Sequence, residues 1–160
     1  MGDIDNDGLL EVAVYEKNSS LLSQINTSND IKLFKYVNGQ YSLISTVQNG
    51  SDFCIEMNIS KAKGDINGVF VSGSIGAHSG SQSLYIIKDG ELVSVLDESI
   101  NSIYPSPIKD IDGDKITELS SLERDPKDPD SSNAVGLKIL TWYKWNGESG
   151  LTTVKVEETH

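Results

Sequence analysis

Apolar residues recur at every second position over short stretches of this chain, and Gly, Asn, Asp or Ser closes each stretch. Leu10, Val12 and Val14 alternate with Glu11, Ala13 and Tyr15, the period-two pattern of a half-buried strand. The same pattern predicts strands over 9–15, 31–37, 41–47 and 53–59, then 69–75, 83–88, 92–96 and 102–104, and finally 117–123, 135–144 and 151–156. The expected class is all-β.

Three hairpin signals punctuate these strands: Leu33 to Gly39, Leu84 to Gly90 and Thr141 to Gly147. Each carries an aromatic residue five positions before the glycine of an Asn-Gly or Asp-Gly pair, the strongest short-range signal for a tight antiparallel turn. The glycines recur after 51 and 57 residues, a period that belongs to solenoids, propellers and arrays. Four strands per unit is the blade of a β-propeller. The expectation is therefore about three four-stranded antiparallel units, over roughly 1–60, 61–105 and 106–160, in a single propeller-like domain. Propellers close with about four to eight blades, so the chain is expected to be a fragment of a larger propeller. Its open edge strands would offer a route to edge-to-edge dimers.

Two acidic loops stand at the head of the first and third units. Asp3-Ile4-Asp5-Asn6-Asp7-Gly8-Leu9-Leu10-Glu11 and Asp110-Ile111-Asp112-Gly113-Asp114-Lys115-Ile116-Thr117-Glu118 place carboxylates at alternate positions and another acid four residues on. Ca²⁺ takes six to eight hard oxygen ligands, which a short loop supplies by turning alternate side chains and one carbonyl inward. The assigned ligands are Asp3, Asp5, Asp7, Glu11 and the Leu9 carbonyl, and Asp110, Asp112, Asp114, Glu118 and the Ile116 carbonyl. Lys115 stands where the first loop has Gly8, adding conformational cost and a nearby cation. The second site is accordingly expected to be the weaker. An EF-hand does not fit: its twelfth position needs a bidentate Glu, and here that position is Val14 or Ser121. Gly64-Asp65-Ile66-Asn67-Gly68 repeats the opening of the motif without its later acids and is expected to be metal-free.

Composition narrows the function classes. Of 160 residues, 24 are acidic and 13 basic, a formal charge of -11 that disfavours nucleic acid and anionic membrane surfaces. No stretch approaches the roughly 20 apolar residues of a membrane-spanning helix, and there is no secretory h-region. The single cysteine, Cys54, lies in a strand-like run and reads as a packed structural thiol. Asn18, Asn26, Asn49 and Asn58 head glycosylation sequons that matter only in a secretory eukaryotic setting.

Residues Gly2 to Val14 resemble the FG-GAP or VCBS-type repeat, the calcium-loop blade of integrin-like propellers and of many exported bacterial proteins. Lys109 to Leu119 resembles it more loosely. The Gly76-Ala77-His78-Ser79-Gly80 segment and the Trp-Tyr-Lys-Trp-Asn-Gly hairpin are similar to those of exported Gram-positive proteins or lipoproteins. The resemblance implies an extracytoplasmic, secreted or cell-surface propeller with structural calcium, any signal peptide lying outside this chain. The expected function is a non-enzymatic binding or scaffold module for a protein or polysaccharide. The alternative is part of a polysaccharide-active enzyme whose catalytic residues lie mainly elsewhere. No catalytic residue is assigned: His78 and Ser79 are adjacent, which does not by itself make a base and nucleophile. Three inserts, 17–30, 74–82 and 124–134, fall at one register and so at one potential binding face. Trp142 and Trp145, with Tyr143 between them, raise carbohydrate stacking, though alternation places the two tryptophans on opposite faces.

Overall fold

The computed structural model describes residues 1–17, 29–130 and 132–159. Eleven strands account for its regular structure: β1 Glu11–Glu16, β2 Asn29–Val37, β3 Gln40–Asn49, β4 Phe53–Lys63, β5 Ile66–Ile75, β6 Ser79–Lys88, β7 Glu91–Ser94, β8 Ile100–Ser102, β9 Leu119–Arg124, β10 Lys138–Trp145 and β11 Leu151–Thr159. They form three antiparallel sheets, β1-β2-β3, β4-β5-β6-β7 with β8 on β6, and β9-β10-β11. Ten of the eleven expected strands are present with shifted ends, the strand expected at 102–104 lies instead at Ile100–Ser102, and no described helix is long and apolar enough to cross a membrane.

Local chemistry explains the hairpins. Asn38-Gly39 and Asp89-Gly90 both adopt positive φ, +53° and +86°, +55° and +83°, the backbone of a type I′ turn whose twist matches its strands. The third hairpin differs. Only Gly147 has positive φ, and Asn146 N–H donates to Gly150 O across a longer turn. That shifts its alignment, so Tyr143 rather than Trp142 takes the place of Phe34 and Tyr85.

One strand belongs to a different sheet from the one its position in the chain suggested. Segment 53–59 was expected to close the first unit, yet β4 pairs along its length with β5, and residue 60, the expected end of that unit, lies inside β4. The cause is the short Gly64-Asp65 turn, which folds β4 straight back onto β5 with Lys63 opposite Ile66. The Gly64 to Gly68 segment, expected to resemble the opening of the acidic motif, is thus a hairpin turn and the start of β5.

The middle sheet is packed on both faces. Val69, Val71 and Tyr85 join Ile4, Ile31 and Leu33 in one core, while Phe70 and Leu84 join Ile108, Leu119 and Trp145 in another. Successive residues of β5 therefore point into different cores, which is why Gly68 to Gly73 is continuously interior or nearly so. Complete burial of an aliphatic side chain such as Ile31 or Leu33 contributes about 1.5–3 kcal/mol. The second interface is also polar. Buried Gln82 donates to Ser106 O at 2.5 Å and accepts Ser120 N–H at 2.6 Å, while Ser106 Oγ donates to Ser120 O at 2.9 Å.

The 74–82 insert does not exist as a loop: Ile75 pairs with Ser79, leaving a turn at 76–78. Its two glycines differ: Gly76 takes φ +61° in the turn, and a Cβ on Gly80 would overlap the Tyr104 backbone. The 17–30 insert falls largely outside the described residues, as do Asn18 and Asn26. The 124–134 insert is tied down by its own acids: Asp125 is buried and Asp128 Oδ2 accepts Leu137 N–H at 2.9 Å. Asn49 is also buried, its amide donating to Tyr85 Oη at 2.8 Å, so no glycan fits there.

Replacing Gln82 with Leu keeps the volume but strands the Ser120 amide without an acceptor. The expected loss is about 1–3 kcal/mol of unfolding free energy in urea titration, against less than about 0.5 kcal/mol for exposed Ser42→Ala.

Candidate metal centre

Both acidic loops fold the same way, almost bond for bond. In the first, Ile4 N–H donates to Glu11 Oε2 at 2.8 Å, Gly8 N–H to Asp3 Oδ2 at 2.9 Å and Leu9 N–H to Asp7 Oδ1 at 2.9 Å. In the second, Ile111 N–H donates to Glu118 Oε2, Lys115 N–H to Asp110 Oδ2 and Ile116 N–H to Asp114 Oδ1, each at 2.8 Å. One isolated bridge closes each loop, Gly2 with Glu11 and Lys109 with Glu118. The left-handed residues match too: Asn6 at +60° and Gly8 at +86°, Gly113 at +83° and Lys115 at +70°. Each loop thus spends its single glycine on a different one of its two left-handed positions. Lys115 carries a cost of about 1–2 kcal/mol there without altering the path of the chain.

The assigned side chains converge, though unequally. Carboxylate oxygens of Asp110, Asp112, Asp114 and Glu118 lie within 4.8 Å of one another, whereas the first loop brings together Asp3, Asp5 and Glu11, with Asp7 outside that mutual set. Oxygens sharing one Ca²⁺ at 2.3–2.6 Å stand no more than about 5 Å apart. The second loop therefore gathers four carboxylates and the first three, and Lys115 takes the same left-handed conformation as Gly8 without opening the loop. Leu9 and Ile116 contribute amides to the loop frame, as above, and no described contact uses their carbonyls. Glu11 and Glu118 have no exposed surface, and the Oε1 atom of each is buried without a hydrogen-bond partner. A buried carboxylate oxygen in that position suits a hard cation. These acidic clusters could hold a metal ion.

Sequence reading missed the cations that face them. Lys35 of β2 places Nζ 2.5 Å from Asp5 Oδ2, 2.5 Å from Asp7 Oδ2 and 3.4 Å from Glu11 Oε1. Lys144 of β10 places Nζ 2.7 Å from Asp112 Oδ2, 2.6 Å from Asp114 Oδ2 and 3.1 Å from Glu118 Oε1. Hydrogen bonds from Asp5 and Asp7 push the Lys35 ammonium above its ordinary range. For Lys144 burial opposes the charge, but Asp112, Asp114 and Glu118 outweigh it and the net direction is upward. Asp7 and Asp114 are held below the usual carboxylate range, chiefly by the two lysines. Burial pushes Glu11 upward against the pull of the Ile4 amide. No short-range pattern gives them away, because Lys35 meets Glu11 only through the cross-strand register of the folded sheet.

The remaining candidates separate. Asp65 is fully exposed and reaches only Lys61, at 3.5 Å, while Asn67 donates to Asp3 O at 2.6 Å and so braces the first loop. Trp142 and Trp145 are both buried, and Trp145 belongs to the core between the second and third sheets. Neither offers a free face for a sugar ring. His78 sits in the 76–78 turn with the Tyr104 ring edge-on at 6.3 Å. Cys54 is partly buried against the first core, and that burial pushes its thiol upward, keeping it protonated at neutral pH.

Comparison with protein-family models, with curated proteins and with solved structures finds no match for this chain.

Lys115→Gly is expected to raise stability by about 0.5–1 kcal/mol by relieving its backbone, whereas Gly113→Ala lowers it by about 1 kcal/mol. Paired thermal melts of the two variants measure both signs.

Proposed function

We propose that this chain is a calcium-stabilised, non-enzymatic binding or scaffold module built of β-propeller blades, belonging to an extracytoplasmic protein with a protein or polysaccharide ligand. The observation that carries the reading is the pair of acidic loops with one hydrogen-bond frame and converging carboxylates. A frame that recurs at the head of two sheets of one chain, with a fully buried glutamate in each whose Oε1 has only a lysine ammonium for company, favours metal holding over two coincidental turns. Calcium is favoured over softer metals because every offered ligand is an oxygen. Bound calcium would neutralise carboxylates that the fold crowds together, and it would do so only in the folded state.

Sheet stacking supports the propeller part of the reading. Three successive antiparallel sheets packed face to face, each with its short loop at one register, are what consecutive blades require. The outer face of the first sheet leaves Val14, Tyr36, Tyr41 and Leu43 exposed, room for a further blade. The resemblance of Gly2 to Val14 to FG-GAP or VCBS-type repeats points the same way. The extracytoplasmic assignment and the ligand class rest on that resemblance, and the formal charge of -11 sits with a ligand that is not a nucleic acid.

Calcium at about a hundredfold excess over its dissociation constant stabilises a one-site protein by about 2.7 kcal/mol. For a domain of this size that is a rise of about 5–10 °C in Tm. The rise should be abolished at one loop by Asp5→Asn and at the other by Asp112→Asn. Differential scanning calorimetry of chelator-treated protein with millimolar Ca²⁺ tests it; an unchanged Tm would sink the reading.

A further inference from the structure

The two lysines follow the acidic loops through the repeat. In the first sheet Glu11 pairs with Lys35; in the third, Tyr143 pairs with Leu119, which sets Lys144 beside Glu118. In the middle sheet Val69 pairs with Tyr85, so the same two positions are Gly68 and Ile86. Where the carboxylates are gone, the lysine is gone as well. Each ammonium lies among three carboxylates of its loop, within 3.4 Å of all of them, and no other described cation reaches those oxygens. An ordinary cross-strand ion pair needs one acid; here one lysine faces three, including a glutamate with no exposure to water.

We propose that Lys35 and Lys144 are tethered counter-cations that hold the two loops in their metal-free state, and that a divalent ion enters each loop by displacing the ammonium. The proposal rests on the metal-holding reading above and adds its regulation. An ammonium and a dication cannot share the same carboxylate oxygens at these distances, because their repulsion adds to the loss of shared ligands. The lysine stem is long and unbranched, so the head can swing to water while its methylenes stay on the sheet. Two consequences follow. The loops keep their shape without metal, and the apparent metal affinity falls by the fraction of time the ammonium is away. The module would then respond to calcium in an environment rich in it while remaining folded where calcium is scarce.

Isothermal titration of the full chain with Ca²⁺ after chelator treatment tests this, comparing wild type with Lys35→Gln and Lys144→Gln. Each variant should bind at least about tenfold more tightly at its own loop, the other loop serving as internal control. Without metal each variant should melt lower than wild type, and Ca²⁺ should remove the deficit. Equal affinities in all three proteins would overturn displacement and leave the calcium reading standing; binding in none would overturn both. If a variant does not fold without metal, the side-chain nitrogen signals of ¹⁵N-lysine in wild type decide. Lys35 and Lys144 signals that shift with Ca²⁺ support the device, and signals that stay in place overturn it.

Discussion

The middle sheet is covered on both faces, and the other two sheets have their cores only because it is there. Val69 and Val71 serve one neighbour, Phe70 and Leu84 the other. Both acidic loops also lean on it. Asn67 donates to Asp3 O and Asn6 donates to Asp65 O at 2.8 Å, so the vestigial turn braces the first loop. Thr117 N–H donates to Lys61 O at 2.8 Å just ahead of Glu118. The turn that carries only Asp65 and Asn67 thus supports the two loops that carry the carboxylate clusters.

Charge compensation is the second constraint. A carboxylate removed from water is costly unless paired, yet Glu11 and Glu118 are both fully buried where a strand begins. One oxygen of each accepts a loop amide; the other faces the lysine head at 3.4 or 3.1 Å without a hydrogen bond. The loops are therefore neither ordinary acidic turns nor simple metal cages. They are anionic cradles with a cation already at hand.

Much of the fold was legible because its elements are local. Asn38-Gly39 and Asp89-Gly90 demand positive φ, and the alternation around them leaves little choice of strand. The loop frames were legible for the same reason: Asp3 to Gly8 and Asp110 to Lys115 close on themselves through contacts five residues apart. What misled was also local. Gly76 to Gly80 reads as a loop, but only Gly76 serves a turn, at φ +61°, while Gly80 lets β6 approach the Tyr104 backbone; the two tryptophans, whose opposite faces argued for packing, are both buried.

By itself the sequence determined that this is an all-β chain of three repeated hairpins with two loops able to gather carboxylates, since side-chain alternation, turn dihedrals and short-range hydrogen bonds are set by neighbours. Only the tertiary structure decided that β4 belongs to the second sheet, that the second loop gathers more carboxylates than the first, and that a lysine faces each. Those outcomes depend on the register between strands well apart in the chain. Lys35 and Glu11 are 24 positions apart and meet only because β1 and β2 align them.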